Sequence, residues 1–224
     1  MVAREPAGES VGWEPAPAPG RVAPHVAAEF PGLGIASIEV QGRPGRSPEP
    51  VRRRLRDLSD RFYGAHAIRM RERPIPWAYR VFFRQIGLDP DHTKTPVEQL
   101  ALERLRDGAF KGSGLPADAL TIATVETGIA LRAFDAERLT GSLCIRDSAP
   151  GEKLPGRAGE LTQGTLVIAD ERLPVGLLFG ATSESAEVTA ETRRIAVAAI
   201  QVNGVPQISV DEALWMVAAT LESA

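Results

Sequence analysis

The pattern of apolar residues changes near residue 118, and that change limits the fold more than any other feature. Before it, the chain reads mainly as helices. "SPEPVRRRLRDLSDRFYG" places Val51, Leu55, Leu58 and Phe62 on one stripe, with Ser47 as a cap, Pro48 in the first turn, Glu49 near the positive end of the dipole and Gly64 as a stop. "WAYRVFFRQIGL" reads as a second helix closed by Gly87. "TPVEQLALERLRDG" carries the strongest helix signal. Thr95 and Glu98 form a capping box around Pro96, Val97, Leu100 and Leu105 face inward, and Gly108 ends the element. Only "LGIASIEVQG", with its loose alternation of Ile35, Ser37, Ile38 and Val40, reads as a strand in this half.

After the change, "ALTIATVETG", "GSLCIRD", "GTLVIAD", "VGLLFG" and "TRRIAVAAIQV" are short β-rich or apolar runs separated by Gly, Pro and Asp. One helix closes the chain, with Ser209 and Glu212 as a second capping box and Leu214, Val217, Ala218 and Leu221 on its buried face. Helices segregated from strands imply an α+β fold rather than alternating βαβ units.

A length of 224 residues with 43% hydrophobic and 25% charged residues suits one compact domain with an extension. Residues 1–28 are rich in Pro, Ala, Gly and Glu and are expected to form a flexible arm ahead of a domain at 29–224. The arm lacks the apolar segment of a secretory signal, no apolar run approaches a membrane span, and the single Cys144 permits no intrachain disulfide. A cytoplasmic protein without a membrane partner is expected.

Net charge is -3, but it is unevenly distributed. Residues 41–85 hold twelve Arg against Glu49, Asp57, Asp60 and Glu72, a local charge of about +8. Such a segment is either a solvated helical face or a grip for a polyanion, with Arg52, Arg53, Arg56, Arg69 and Arg71 as candidate RNA contacts.

Familiar catalytic spacings are missing. His25, His66 and His92 pair with no ligand at metal spacing, so neither a metal nor a cofactor is expected. No nucleophile elbow, P-loop or dinucleotide fingerprint occurs. Cys144 reads as a buried core thiol, and Glu184 and Glu187 as surface loop acids. The residues alone describe an α+β protein with a basic helical face and name no reaction.

"VETGIALRAFDAERLTGSLCIRDSAPGEKL" resembles the B3/B4 domain of the phenylalanyl-tRNA synthetase β subunit. The resemblance rests on Glu126-Thr127-Gly128, then Ala133-Phe134-Asp135, a strand ending in Arg146, and Gly151-Glu152-Lys153-Leu154. "GELTQGTLVIADERLPVGLLFG" and "SAEVTAETRRIAVAAI" extend it, so it runs over residues 115–202. Upstream, "YRVFFRQIGLDPDHTKTPVEQL" is similar to freestanding B3/B4-like proteins. No part resembles the aminoacylation core. The resemblance implies a B3/B4-like fold with N-terminal helices, a mixed β-rich core and a C-terminal helix.

It also implies a role on aminoacyl-tRNA, since the synthetase domain hydrolyses tyrosine wrongly esterified to the phenylalanine tRNA. The family's histidine falls on Arg132, its substrate-recognising acid on Ala198, its Thr-Asn pair near Leu120 and Thr121, and its pocket glycine on Gly180. Thr121, Arg132, Gly180 and Ala198 are therefore the pocket candidates. Arg132 either holds a carboxylate or phosphate in that pocket or turns outward to pair with Glu126 or Asp135. Phe134 is expected in the core, Asp135 on a turn, and Gly141 and Gly151 at tight strand ends.

Two functions follow. One is a trans-acting deacylase for mischarged tRNA, with tRNA or aminoacyl-tRNA as partner. The other is a non-catalytic module on the same scaffold that binds RNA or a small amino-acid-like ligand. A protein-interaction role for Trp13, the proline-rich arm or the apolar groove is a third reading.

Overall fold

The computed structural model describes residues 16–223, with residues 66–68 described by their backbone alone. Trp13 and the first half of the expected arm lie outside the described residues. The rest of that arm is built into the fold. β1 (Ala18–Pro19) and β2 (Arg21–Val22) are followed directly by α1 (Pro24–Glu29), whose Val26 is fully buried.

β3 (Gly34–Gln41) follows as expected. The helical half then comprises α2 (Glu49–Arg61), α3 (Gly64–Met70), α4 (Pro74–Gln85) and α5 (Pro96–Asp107). Val51, Leu55, Leu58 and Phe62 are all buried. The capping box of α5 forms as read, and Gly108 ends the helix in the left-handed region. Leu105 instead lies on the exposed side with Leu102, because α5 faces inward through Val97, Glu98 and Ala101. Ser47 is not the cap of α2. Pro48 holds that position, and the Ser47 hydroxyl donates to Asp118 at 2.5 Å.

The apolar run at 118–128 corrects the sequence reading. It is not a strand but most of α6 (Leu115–Thr127), opened by Gly114 and Pro116 and closed by Gly128. The helix is enclosed on most sides and so shows no clear stripe; Leu115, Ala119, Ile122, Ala123 and Val125 are all buried. The strands that follow are β4 (Ala130–Asp135), β5 (Cys144–Asp147), β6 (Leu166–Ala169), β7 (Pro174–Leu177) and β8 (Arg194–Gln201). α7 (Gln207–Glu222) ends the fold. Its N-cap is Pro206, so the Ser209–Glu212 capping box does not form, while Leu214, Val217, Ala218 and Leu221 are buried as read.

The architecture is α+β with two four-stranded sheets. In the order β1-β3-β8-β4, every neighbouring pair of the first sheet is antiparallel. In the second, ordered β2-β5-β6-β7, only β2 and β5 run parallel. α7 lies across β3 and β8 and packs on α6, which in turn supports α2 and α5. β8 is flanked by β3 and β4 and covered by α7, and residues 195–200 are all buried. Such enclosure explains its unbroken apolar sequence.

Candidate functional site

Two anchors hold the site in place, and both come from the segment upstream of α6. The first is Tyr79 on α4, whose fully buried hydroxyl donates to the Ile200 carbonyl at 2.5 Å and accepts from the Ala130 amide at 3.1 Å. It therefore bridges the start of β4 to β8, and burial pushes its phenol up from its ordinary pKa. The second is Arg80, which is 4% exposed and donates to Glu98 and to Asp91 at 2.6 Å each. The other carboxylate oxygen of Glu98 closes the capping box, accepting from the Thr95 hydroxyl and amide at 2.8 and 3.2 Å. Opposed charges and complete use of the Glu98 oxygens make burial of this pair tolerable. "YR" and "PVEQL" are thus one joint between α4 and α5.

Two residues along β4 from Ala130 is Arg132, which shares its face of the strand. Its register partner on β8 is Ala198, and the partner of Ala198 on β3 is Ser37. With only a methyl group at Ala198, the long side chain extends toward the end of β7. Arg132 Nη1 donates to the Gly180 carbonyl at 2.5 Å and Nη2 to the Thr182 hydroxyl at 2.8 Å. Gly176 on β7 leaves room for the guanidinium, since a Cβ there would lie 3.4 Å from Arg132 Nη2.

Arg132 therefore does not turn outward, and neither acid expected as its partner is available. Glu126 takes Arg54 and lies 3.8 Å from Arg61. Asp135 accepts from the Thr192 hydroxyl at 2.6 Å and the Glu137 amide at 3.0 Å, with Arg138 at 3.5 Å. The partly buried guanidinium has carbonyls and a hydroxyl as partners and no carboxylate. Burial pushes its pKa down to about 10, so it stays charged at neutral pH.

Arg132 lines a cavity of about 400 Å³ between the N-terminus of α6, β4 and the segment after β7, with Gly45, Ala117, Leu120, Thr182 and Glu187 among the other walls. Arg132 and Gly180 meet through the Gly180 carbonyl, and Ala198 lies opposite Arg132 in the sheet, but neither Gly180 nor Ala198 is among the walls of this cavity. Thr121 is half-buried on α6, and its neighbour Leu120 faces the cavity. Thr182 was not singled out from sequence, and Glu187, read as a surface loop acid, is exposed but also lines the cavity; the polar run "ATSESAE" directly after Gly180 marks a loop able to reach a site.

The frame around the cavity follows the expectation. Phe134 is fully buried, and Gly141 and Gly151 turn the chain at φ of 69° and 74°. Cys144 is half-buried rather than enclosed, with Sγ 3.4 Å from the Ile145 carbonyl. The basic segment is less available than its composition suggests. Arg52 and Arg56 both bond Glu49, at 2.7 and 2.6 Å, and together hold that carboxyl down to about 2. Arg53, Arg69 and Arg71 are exposed and have no acid partner among the described residues. His25 contacts Asp147 at 2.8 Å and His92 lies 3.7 Å from Asp89, while the side chain of His66 lies outside the described residues. Among the described residues, no helix is long and apolar enough to cross a membrane.

The family model of the B3/4 domain matches residues 78–211, more than half of the chain, and the protein belongs to that family. Its relatives include the "Phenylalanine--tRNA ligase beta subunit" of Photorhabdus laumondii, 35% identical over 109 residues, which are 46% of this chain and 14% of that subunit. The subunit of Legionella pneumophila is 34% identical over 102 residues, 43% of this chain and 13% of the subunit. That of Streptomyces avermitilis is 30% identical over 119 residues, 50% of this chain and 14% of the subunit. The similarity thus spans about one-seventh of each subunit's length.

Proposed function

We propose that this protein acts on aminoacyl-tRNA in the cytoplasm, in trans, by hydrolysing the ester of a mischarged tRNA. The observation that carries the reading is the partly buried guanidinium of Arg132, without a salt bridge among the described residues, lining a cavity of about 400 Å³ on the strand that bears the B3/B4 resemblance. An aminoacyl ester is already activated, so a positioned donor and a held water meet most of the chemical need. Arg132 donates to the ester carbonyl, water adds to the carbonyl carbon, and the ribose oxygen leaves with a proton. Thr182 and Glu187 are placed for the water and the ammonium group of the aminoacyl moiety. Arg53, Arg69 and Arg71 grip the RNA backbone, with Arg52 and Arg56 behind them. The step requires neither metal nor cofactor.

One observation favours the second reading, a non-catalytic module for RNA or a small amino-acid-like ligand. A guanidinium cannot accept a proton at neutral pH, so Arg132 supplies no general base where the resemblance places a histidine.

The test is deacylation of a panel of mischarged tRNAs, beginning with tyrosine on the phenylalanine tRNA. Turnover above the spontaneous rate is expected for one member, reduced on the order of 100-fold in Arg132→Ala. No turnover across the panel, with tRNA still bound, replaces the hydrolase with the binding module.

A further inference from the structure

Arg132 also borders a second, smaller cavity of about 260 Å³ on the side of α5, with Lys94, Gln99, Phe179, Gly180 and Ile200 among its walls. Two of its lining residues are cations and none is Asp or Glu. Neither cation forms a salt bridge among the described residues, and the nearest acid to act on Lys94 is the exposed Asp91. Lys94 Nζ donates to the Asp91 carbonyl at 2.6 Å and the Pro90 carbonyl at 3.5 Å, while the Asp91 carboxylate is held by Arg80. Arg132 is bonded only to two carbonyls and a hydroxyl. In a chain with a net charge of -3, two cations and no acid around one recess are a local excess of positive charge. Burial of the Arg132 guanidinium without a counter-charge is costly, and an anion in the recess offsets part of that cost. Carbonyl partners orient such groups without cancelling their charge, which stays directed at the space between them.

From this arrangement we infer that the α5-side cavity is an anion site, in which Lys94 and Arg132 together hold the oxyanion of a small ligand. Its chemistry is that of a carboxylate or a phosphate group, and the guanidinium fork suits either. The site does not depend on ester hydrolysis. Lys94 is absent from the lining of the larger cavity, so loss of deacylation and loss of anion binding are separate outcomes.

Titration calorimetry of the full chain at pH 7 tests this, with sodium phosphate and sodium L-glutamate as the two ligand arms and sodium chloride at matched ionic strength as the blank. Saturable binding is expected in one ligand arm, and which arm it is separates phosphate from carboxylate. Lys94→Met and Arg132→Met should each weaken that binding roughly 10-fold or more, the effect of losing one charged hydrogen bond, and Lys153→Met should not. Heats no larger than those of chloride, or an affinity unchanged in Lys94→Met, overturn the assignment. Lys94 is part-exposed on a surface loop, so its variant decides the question even where Arg132→Met fails to fold.

Discussion

Tyr79→Phe isolates one oxygen atom. The ring stays, and with it the edge-on contact to Phe179 at 6.2 Å. The hydroxyl that joins the Ile200 carbonyl at 2.5 Å to the Ala130 amide at 3.1 Å is removed. Both residues are at most 1% exposed, so water cannot replace it without entering the core. An abandoned buried polar group costs about 1–3 kcal/mol, and two groups are affected, so a loss of roughly 2–6 kcal/mol is expected. For a chain of this length the melting temperature falls by about 2–4 °C per kcal/mol, or on the order of 12 °C in all. Urea unfolding should show a lower midpoint at unchanged slope, and the Ala130 amide should exchange with solvent much faster. A loss below about 1 kcal/mol, with the Ala130 amide still protected, would refute the claim that this hydroxyl anchors β4.

Two further perturbations test the surface and the acid range. Arg53→Ala combined with Arg71→Ala should weaken tRNA binding and flatten the slope of log affinity against log salt by about 0.7–0.9 for each phosphate no longer neutralised, while Arg54→Ala, which removes a partner of Glu126, should leave the slope in place; an unchanged slope in the double variant removes the RNA role of this face. Glu152 is held below its ordinary value of 4.5 mainly by Arg146, at 2.6 and 2.8 Å. Because its folded pKa is lowered, its contribution is complete above the unfolded pKa and disappears as pH falls through the folded one. Melting temperature should therefore drop less between about pH 5 and pH 3 in Glu152→Gln than in the natural chain, and parallel curves would exclude the pair as a source of acid sensitivity.

Local chemistry was legible wherever a segment settles its own structure. The Thr95–Glu98 box and the stripe of α2 needed no tertiary information, and both formed. The capping box at Ser209 failed because Pro206 started α7 earlier. α6 was misread because enclosure removes the amphipathic signal; its Pro116, Asp118 and Gly128 were better guides than its apolar run. For the site, the resemblance placed Arg132, Gly180 and Ala198 in one neighbourhood. What it could not give was the direction of the Arg132 side chain. That depends on Glu126 and Asp135 already being occupied by Arg54 and Thr192, partners 72 and 57 residues away in sequence. The same limit applies to the Arg-rich segment, where composition counts cations but not those already paired with Glu49 and Glu126.

The short run at 18–22 binds one sheet through β1 and the other through β2, and Gly20 lies between them so closely that a Cβ would sit 2.6 Å from the Leu143 carbonyl. β3, to which β1 attaches, is itself seated against β8, the last strand in the chain. The run at 18–22 thus has no complete seat until residues 194–201 have emerged. About 150 residues separate β3 from β8, so their pairing closes a long loop and forms slowly. Until then the β8-facing edge of β3 is open, and an open apolar edge is prone to pair with other chains.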